Sequence, residues 1–191
     1  TIKISRESSS FYTSGLFTLR HKDGFLMTIL RNIDTRPGQM DQCHIDLWHK
    51  NFNILCDVGS YSYASDLGKS LALTAAHNTI QVDNKEQMNK KGPFLVYDWS
   101  KSKDVKHTDN TFYGTMISKN GYEHTRSIKL DDNSYEIEDI ISGKGNTCYL
   151  RFHTPCQINK VGKNLELLNE GKVVALLESN VIAYQSGGSA N

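Results

Sequence analysis

TFYGTMIS (Thr111–Ser118), EHTRSIKL (Glu123–Leu130) and YEIEDIIS (Tyr135–Ser142) are short segments set apart by Asn120-Gly121 and Asp131-Asp132-Asn133. The separators are rich in residues that tolerate φ > 0 or close local side-chain turns, so the three segments read as successive strands of a meander. Working outward, Gly143-Lys144-Gly145-Asn146 leads into a strand at Cys148–His153, and Phe94–Trp99 precedes the meander. Weaker strands follow at Gln157–Lys160, Asn164–Leu168 and Lys172–Leu177, with a last near Val181–Tyr184 and a small, polar, frayed tail from Ser186 to Asn191. Upstream, Gly15–Arg20 and Gly24–Arg31 flank His21-Lys22-Asp23-Gly24 as a hairpin with a glycine-bearing loop. His44–Trp48 and His77–Val82 alternate apolar and polar residues, and Phe52–Val58 is a denser run placed deeper in the core. Leu67, Leu71 and Ala75 fall at helical spacing within Ser65–Ala76, but without a convincing cap pair this stretch reads as a long loop with at most a turn of helix. The fold class expected is all-β: an antiparallel β-sandwich of many strands with little helix, one domain over residues 1–191.

Composition narrows the function classes. Lys and Arg number 22 against 21 Asp and Glu, and no run of basic residues exceeds two, which argues against nucleic acid as a partner. A local basic groove remains compatible with that balance, because a summed charge says nothing about patches. No apolar stretch approaches the ~20 residues of a transmembrane helix. The chain opens at Thr1 with no leader pattern, which reads as a processed or excised chain. Cys43, Cys56, Cys148 and Cys156 form no CxxC pair, and the first two sit in apolar runs, so buried thiols are expected rather than a zinc ribbon or disulfides.

Three segments carry more polar specificity than a sheet requires. In Arg36–Trp48, strand alternation places His44, Asp46 and Trp48 on one face, either as a pair that shares a metal or as a solvated strand face. In Asn53–Tyr63, an apolar run ends in Asp57, Gly59 and two tyrosines. A carboxylate there either coordinates or pairs, or accepts backbone N–H bonds in a turn. Tyr61 and Tyr63 either stack on sugar rings and donate protons or are ordinary sandwich tyrosines. In Thr74–Asp83, His77 follows small residues that leave its ring room to face a cavity. Mixed imidazole and carboxylate ligands suit zinc or a similar divalent ion.

Taken in order, RP-x-x-x-D-x-x-H-x-D-L-W from Arg36, N-I-L-x-D-x-G-S-Y-S-Y from Asn53 and A-H-N-T-I-Q-V-D from Ala76, with E-Q-M at Glu86 and F-L-x-x-D-W at Phe94, resemble the heparinase II/III-like domain. His124-Thr125-Arg126 and Arg151-Phe152-His153-Thr154-Pro155 are similar to that family's later strands, so the likeness runs over nearly the whole chain. The resemblance implies a polysaccharide lyase that cleaves uronic-acid-containing glycans by β-elimination. It implies an N-terminal (α/α) toroid ahead of this sandwich, with the active site in the cleft between them and much of the catalytic set on the toroid. It implies a periplasmic or secreted protein with an acidic polysaccharide as its partner.

Carried over residue by residue, the family pattern makes His44, Tyr61 and Tyr63 the catalytic candidates. Trp48 and Arg126 become substrate-binding candidates, and Asp57, His77 and Gln39 the metal ligands. Lys85, Lys90, Lys91 and Arg126 either face a groove for such a glycan or merely solvent. The family's HAD-like tripeptide reads Gln39-Met40-Asp41 here, an amide in place of an imidazole. A zinc or calcium ion is therefore held less well: the site takes a harder ion or none at all, or His44 substitutes for the missing ligand. The alternative expectation is a non-catalytic carbohydrate-binding or degenerate lyase-like module.

Overall fold

A computed structural model describes residues 6–62, 65–92 and 94–180. The chain divides into two compact units, Thr1–Pro155 and Cys156–Asn191. The first contains β1 (Ser9–Phe11), β2 (Leu16–His21), β3 (Gly24–Ile29), β4 (Ile45–His49) and β5 (Phe52–Leu55), then helix α1 (Asp66–Leu71) and a 3₁₀ turn (Thr74–Ala76). It continues with β6 (Ile80–Val82), β7 (Asn89–Lys91), β8 (Leu95–Tyr97), β9 (Lys101–His107), β10 (Thr111–Ile117), β11 (Tyr122–Asp131), β12 (Ser134–Gly143) and β13 (Cys148–Leu150). The second unit is the antiparallel sheet of β14 (Gln157–Val161), β15 (Asn164–Asn169) and β16 (Lys172–Leu177).

In the first unit a five-stranded sheet, β1-β2-β3-β4-β5, faces a four-stranded sheet, β12-β11-β10-β9. Alternation decides which faces meet: Phe17 and Leu19 of β2 and Leu26 of β3 are buried, as are Phe112 and Met116 of β10 and Ile128 of β11. Phe17 and Phe112 touch across the interface at 5.1 Å between ring centroids, and the Tyr135 hydroxyl donates to the Leu19 carbonyl at 3.1 Å. Each such apolar side chain contributes about 1.5–3 kcal/mol by leaving water. Gly114 lets the sheets approach, since a Cβ there would lie 2.4 Å from Leu30 Cδ2. The expected antiparallel β-sandwich is the fold.

Where structure and sequence differ, the reason is local. β9 has the sequence KSKDVKH and was not foreseen, because it is the edge of its sheet and mostly exposed. Lysine-rich edges discourage pairing with other chains but erase the apolar alternation that announces a strand. The helical turn proves to be a capped helix: Ser65 Oγ accepts from Gly68 N at 3.0 Å. Tyr63, the strand expected near Val181–Tyr184 and the tail from Ser186 lie outside the described residues.

Cys43 is buried as expected, whereas Cys148 is exposed. Complete burial pushes the Cys43 thiol up to about 12, and partial burial with the nearby Asp83 charge raises Cys148 more modestly. Maleimide at mildly alkaline pH should label Cys148 in the folded protein and Cys43 only after unfolding, as read by peptide mapping. Native labelling of Cys43 would contradict this packing.

Candidate functional site

The last residues before β4, the first after β5 and the turn before β6 converge because Asn78 ties them together. Its amide nitrogen donates to the carbonyls of Ile45 (2.8 Å) and Cys56 (3.1 Å), and its carbonyl oxygen accepts from the His153 backbone N–H. Its own backbone N–H donates to His44 Nδ1 at 3.0 Å. All of Asn78 is buried, so each of these bonds satisfies a group that would otherwise be orphaned. Three segments distant in sequence thereby present His44, Asp57 and His77 together.

The three side chains offer ligand atoms all within 4.8 Å of one another, a group that could hold a metal ion. Asp57 Oδ2 lies 2.8 Å from His77 Nδ1 and 3.9 Å from His44 Nε2, while its Oδ1 accepts from Gly59 N at 2.7 Å. The two rings meet edge to face, 5.6 Å between centroids. Burial alone would raise the Asp57 carboxyl, but the His77 bond, the Gly59 N–H and the neighbouring imidazoles outweigh it and hold it below the ordinary range. His44 is lowered to about 4 by burial, against the opposing pull of Asp57. It is therefore neutral near pH 7. Because its Nδ1 accepts the Asn78 N–H, its proton sits on Nε2, facing Asp57.

That tautomer matters for what the site can hold. A protonated Nε2 is not a metal donor, so in this tautomer His44 turns an N–H toward Asp57, whose Oδ2 lies 3.9 Å away, beyond hydrogen-bond range. Two buried polar atoms at the expected ligand positions have no partner among the described residues, His77 Nε2 and Gln39 Oε1. The Gln39 amide nitrogen donates to Ser60 Oγ at 3.2 Å, which leaves that carbonyl oxygen as its unused end. Unsatisfied buried acceptors at candidate ligand positions are what an ion site leaves behind. The group whose ligand atoms converge closely enough to hold a metal ion is His44, Asp57 and His77.

Behind the cluster stands a buried ionic network. Arg126 and Asp139 lie directly opposite each other on β11 and β12. Arg126 Nε and Nη2 meet the two Asp139 oxygens at 2.6 and 2.8 Å, and its Nη1 donates to the carbonyls of Cys43 and Asn78. Those carbonyls flank His44 and His77. Cys43 itself has φ 60°, a left-handed conformation a side chain rarely adopts, and the guanidinium holds that turn in place. His124 Nε2 sits 2.6 Å from Asp139 Oδ1, and its buried Nδ1 has no partner among the described residues.

Burial holds the His124 imidazole below its ordinary value, with Arg126 in the same direction and Asp139 opposing. The unfolded chain then takes up the proton first, so this contribution is intact above about pH 6.5 and is lost as pH falls through it. His44 and His153, also held low by burial, act with the same sign. The urea midpoint should fall between about pH 7.5 and about pH 5, with a slope of at most about 1.4 kcal/mol per pH unit for each group, and His124→Gln should flatten it. A midpoint that rises over that range would contradict this environment.

The structure sorts the expected site residues. His44, Asp57 and His77 come together. Arg126 is not a substrate-facing cation: it is wholly buried and committed to Asp139 and two carbonyls. Tyr61 is 77% exposed with φ 49°. Asp46 interacts with the Trp48 side chain and lies beside Asp57, as alternation along β4 expects. Asp46 accepts from Asn53 Nδ2 at 3.3 Å, and Trp48 stacks on Phe25 in a different groove. Lys85 pairs with Asp83 at 3.7 Å. Sequence reasoning assigned no role to Asn78, Asp139 or His153, the last of which lies near the cluster with Nε2 3.1 Å from the Ala75 carbonyl. The signal for Arg126 and Asp139 was strand parity, since each shares phase with apolar residues, Ile128 and Ile137 respectively.

The two-sheet β-domain has known counterparts in fold. It resembles a heparinase III solved with methylated lysines (TM-score 0.69, 23% identity), over 86% of this chain and 27% of that one. It also resembles the heparan sulfate lyase HepC from Pedobacter heparinus (TM-score 0.65, 17% identity), over 87% of this chain and 28% of that one. At such identities the likeness is one of fold, and the chain spans about a quarter of the length of either structure. Its sequence belongs to the Heparinase II/III-like, C-terminal family, whose model matches residues 3–190. A comparison with curated proteins returns no match. No helix among the described residues is long and apolar enough to cross a membrane.

Proposed function

We propose that this chain is the C-terminal sandwich of a polysaccharide lyase that cleaves uronic-acid-containing glycans by β-elimination, working with a preceding toroid domain. The observation that carries the reading is the convergence of His44, Asp57 and His77 on segments whose order follows the family motif. In β-elimination a base takes the C5 proton beside the uronate carboxyl, the developing negative charge is stabilised, and the C4 leaving oxygen receives a proton. Asp57, accepting from His77 Nδ1 at 2.8 Å, fixes that ring and favours the tautomer whose Nε2 is unprotonated. His44, neutral and tethered by Asn78, places its Nε2 3.9 Å from Asp57, which Gly59 N and His77 hold in orientation. A divalent ion on Asp57 and His77 would supply a fixed positive charge at this face.

The test is to express the full-length gene product and follow the ultraviolet absorbance of unsaturated uronic acid products on heparan sulfate, chondroitin sulfate and alginate. Product from any of these supports the reading; none from all three sinks it. The amide of Gln39 at the imidazole position favours a second reading, a carbohydrate-binding or degenerate lyase-like module. Retention on an acidic-glycan column without product formation is the outcome specific to it.

A further inference from the structure

Away from the cluster, the exposed face of the five-stranded sheet carries a second constellation. Arg20 of β2 pairs with Phe25 of β3, and Phe25 pairs with Trp48 of β4, so register alone sets the three side chains in a row on one face. Their strand neighbours Leu19 and Leu26 point the other way into the core. The Phe25 and Trp48 rings are parallel within 6°, with centroids 6.3 Å apart, and the Arg20 guanidinium lies 4.3 Å from the Phe25 centroid. Together they floor a groove of about 770 Å³. Its volume falls in the range of small-molecule and oligosaccharide sites, roughly 300–1,000 Å³.

Charge singles this groove out further. Arg6, Lys22 and Lys50 line it with Arg20, against one acidic residue, Asp23. None of these four cations forms an ion pair among the described residues. In a chain with 22 basic and 21 acidic residues, a concentration of uncommitted cations over an aromatic floor is a local feature, not a reflection of composition. The hairpin tip is also held in shape: Lys50 N donates to the Asp23 carbonyl at 2.7 Å, and the His21 and His49 rings stack at 5.7 Å.

We propose that the Arg20–Phe25–Trp48 groove binds an anionic oligosaccharide at a site separate from the His44–Asp57–His77 cluster. A pyranose ring presents a flat C–H face that packs on aromatic rings, and its sulfates or carboxylates meet the guanidinium and ammonium groups of the rim. Single-stranded nucleic acid also combines stacking with cations, but it needs a basic track along an extended backbone, and the cations here gather around one groove. The inference does not depend on lyase activity, since binding here requires no chemistry.

The probe is a size-defined heparin-derived octasaccharide titrated into the 191-residue chain at low salt. Trp48 and Trp99 are the only tryptophans, so Trp99→Phe leaves Trp48 as a reporter seated in the groove. The expected result is a saturable change in Trp48 fluorescence that weakens with salt and is absent with a neutral oligosaccharide of equal length. Lys22→Glu combined with Lys50→Glu, both on exposed hairpin tips, should weaken binding tenfold or more, and Arg20→Ala should do the same. Unchanged affinity in both variants, or octasaccharide binding that leaves Trp48 fluorescence unmoved, overturns the proposal. Tighter binding of a single-stranded oligonucleotide of matched charge overturns the glycan assignment. Loss of lyase activity in the full-length protein, by contrast, bears only on the function proposed above.

Discussion

Arg126→Met should destabilise the first unit by about 3–5 kcal/mol, enough to leave many preparations unfolded. The reasoning is in the partners. Arg126 is fully buried and its guanidinium meets both Asp139 oxygens and two backbone carbonyls. Removing it leaves a buried carboxylate without its counter-charge, and leaves the Cys43 and Asn78 carbonyls short of a donor. Asp139 is at present held far below the usual carboxylate range by Arg126 and His124, although burial opposes them. Without the arginine that carboxyl would rise, because burial would be opposed by His124 alone. Chemical denaturation measures the effect, and a loss under about 1 kcal/mol would contradict the network. The double variant Arg126→Met with Asp139→Leu should recover part of the stability, because an apolar pair removes the stranded charge. It should not recover all of it, since the two carbonyls remain unpaired.

Asp57→Asn in the full-length protein should lower lyase activity about 100-fold and reduce bound divalent metal, with the fold retained. Asp57 is half-exposed at the end of an apolar run, so losing its charge costs little packing. What it loses is the acceptor for His77 Nδ1 and the carboxylate 3.9 Å from His44 Nε2. An amide can present its NH₂ group to the imidazole and favour the other tautomer, which is the wrong one for a base or ligand at Nε2. His77→Gln should give a loss of similar size, and the double variant little more than either alone, because the two residues act as a unit. Activity assays and metal content by elemental analysis read the outcome. Wild-type activity and metal content in Asp57→Asn would remove this cluster from the mechanism.

Much of the fold was legible because its signals are local. Asn120-Gly121 and Asp131-Asp132-Asn133 mark turns by their own backbone preferences, and the segments they separate became β10, β11 and β12 with boundaries within two residues. The edge strand β9 escaped because solubility at an edge calls for the lysines that hide a strand's pattern. The candidate site was legible as residue types in order but not as roles. Arg126 read as a groove cation because arginine is usually exposed, yet His124, Arg126, Ile128 and Leu130 share one parity and all face the core. Tyr61 read as catalytic by its motif, while its positive φ turns it out to solvent.

The amino-acid sequence by itself determined that this is an all-β chain, that its motifs follow the heparinase II/III-like order, and that Gln39 stands where an imidazole is usual. Those properties depend on neighbours a few residues apart, whose preferences are written in side-chain shape and turn chemistry. Only the tertiary structure decided that Asn78 gathers His44, Asp57 and His77, that Asp139 is the partner of Arg126, and that Arg20, Phe25 and Trp48 form one row. Each of those depends on strand register and on hydrogen bonds between residues far apart in the chain. Register is a collective result of packing one face of a sheet, and no single residue carries it.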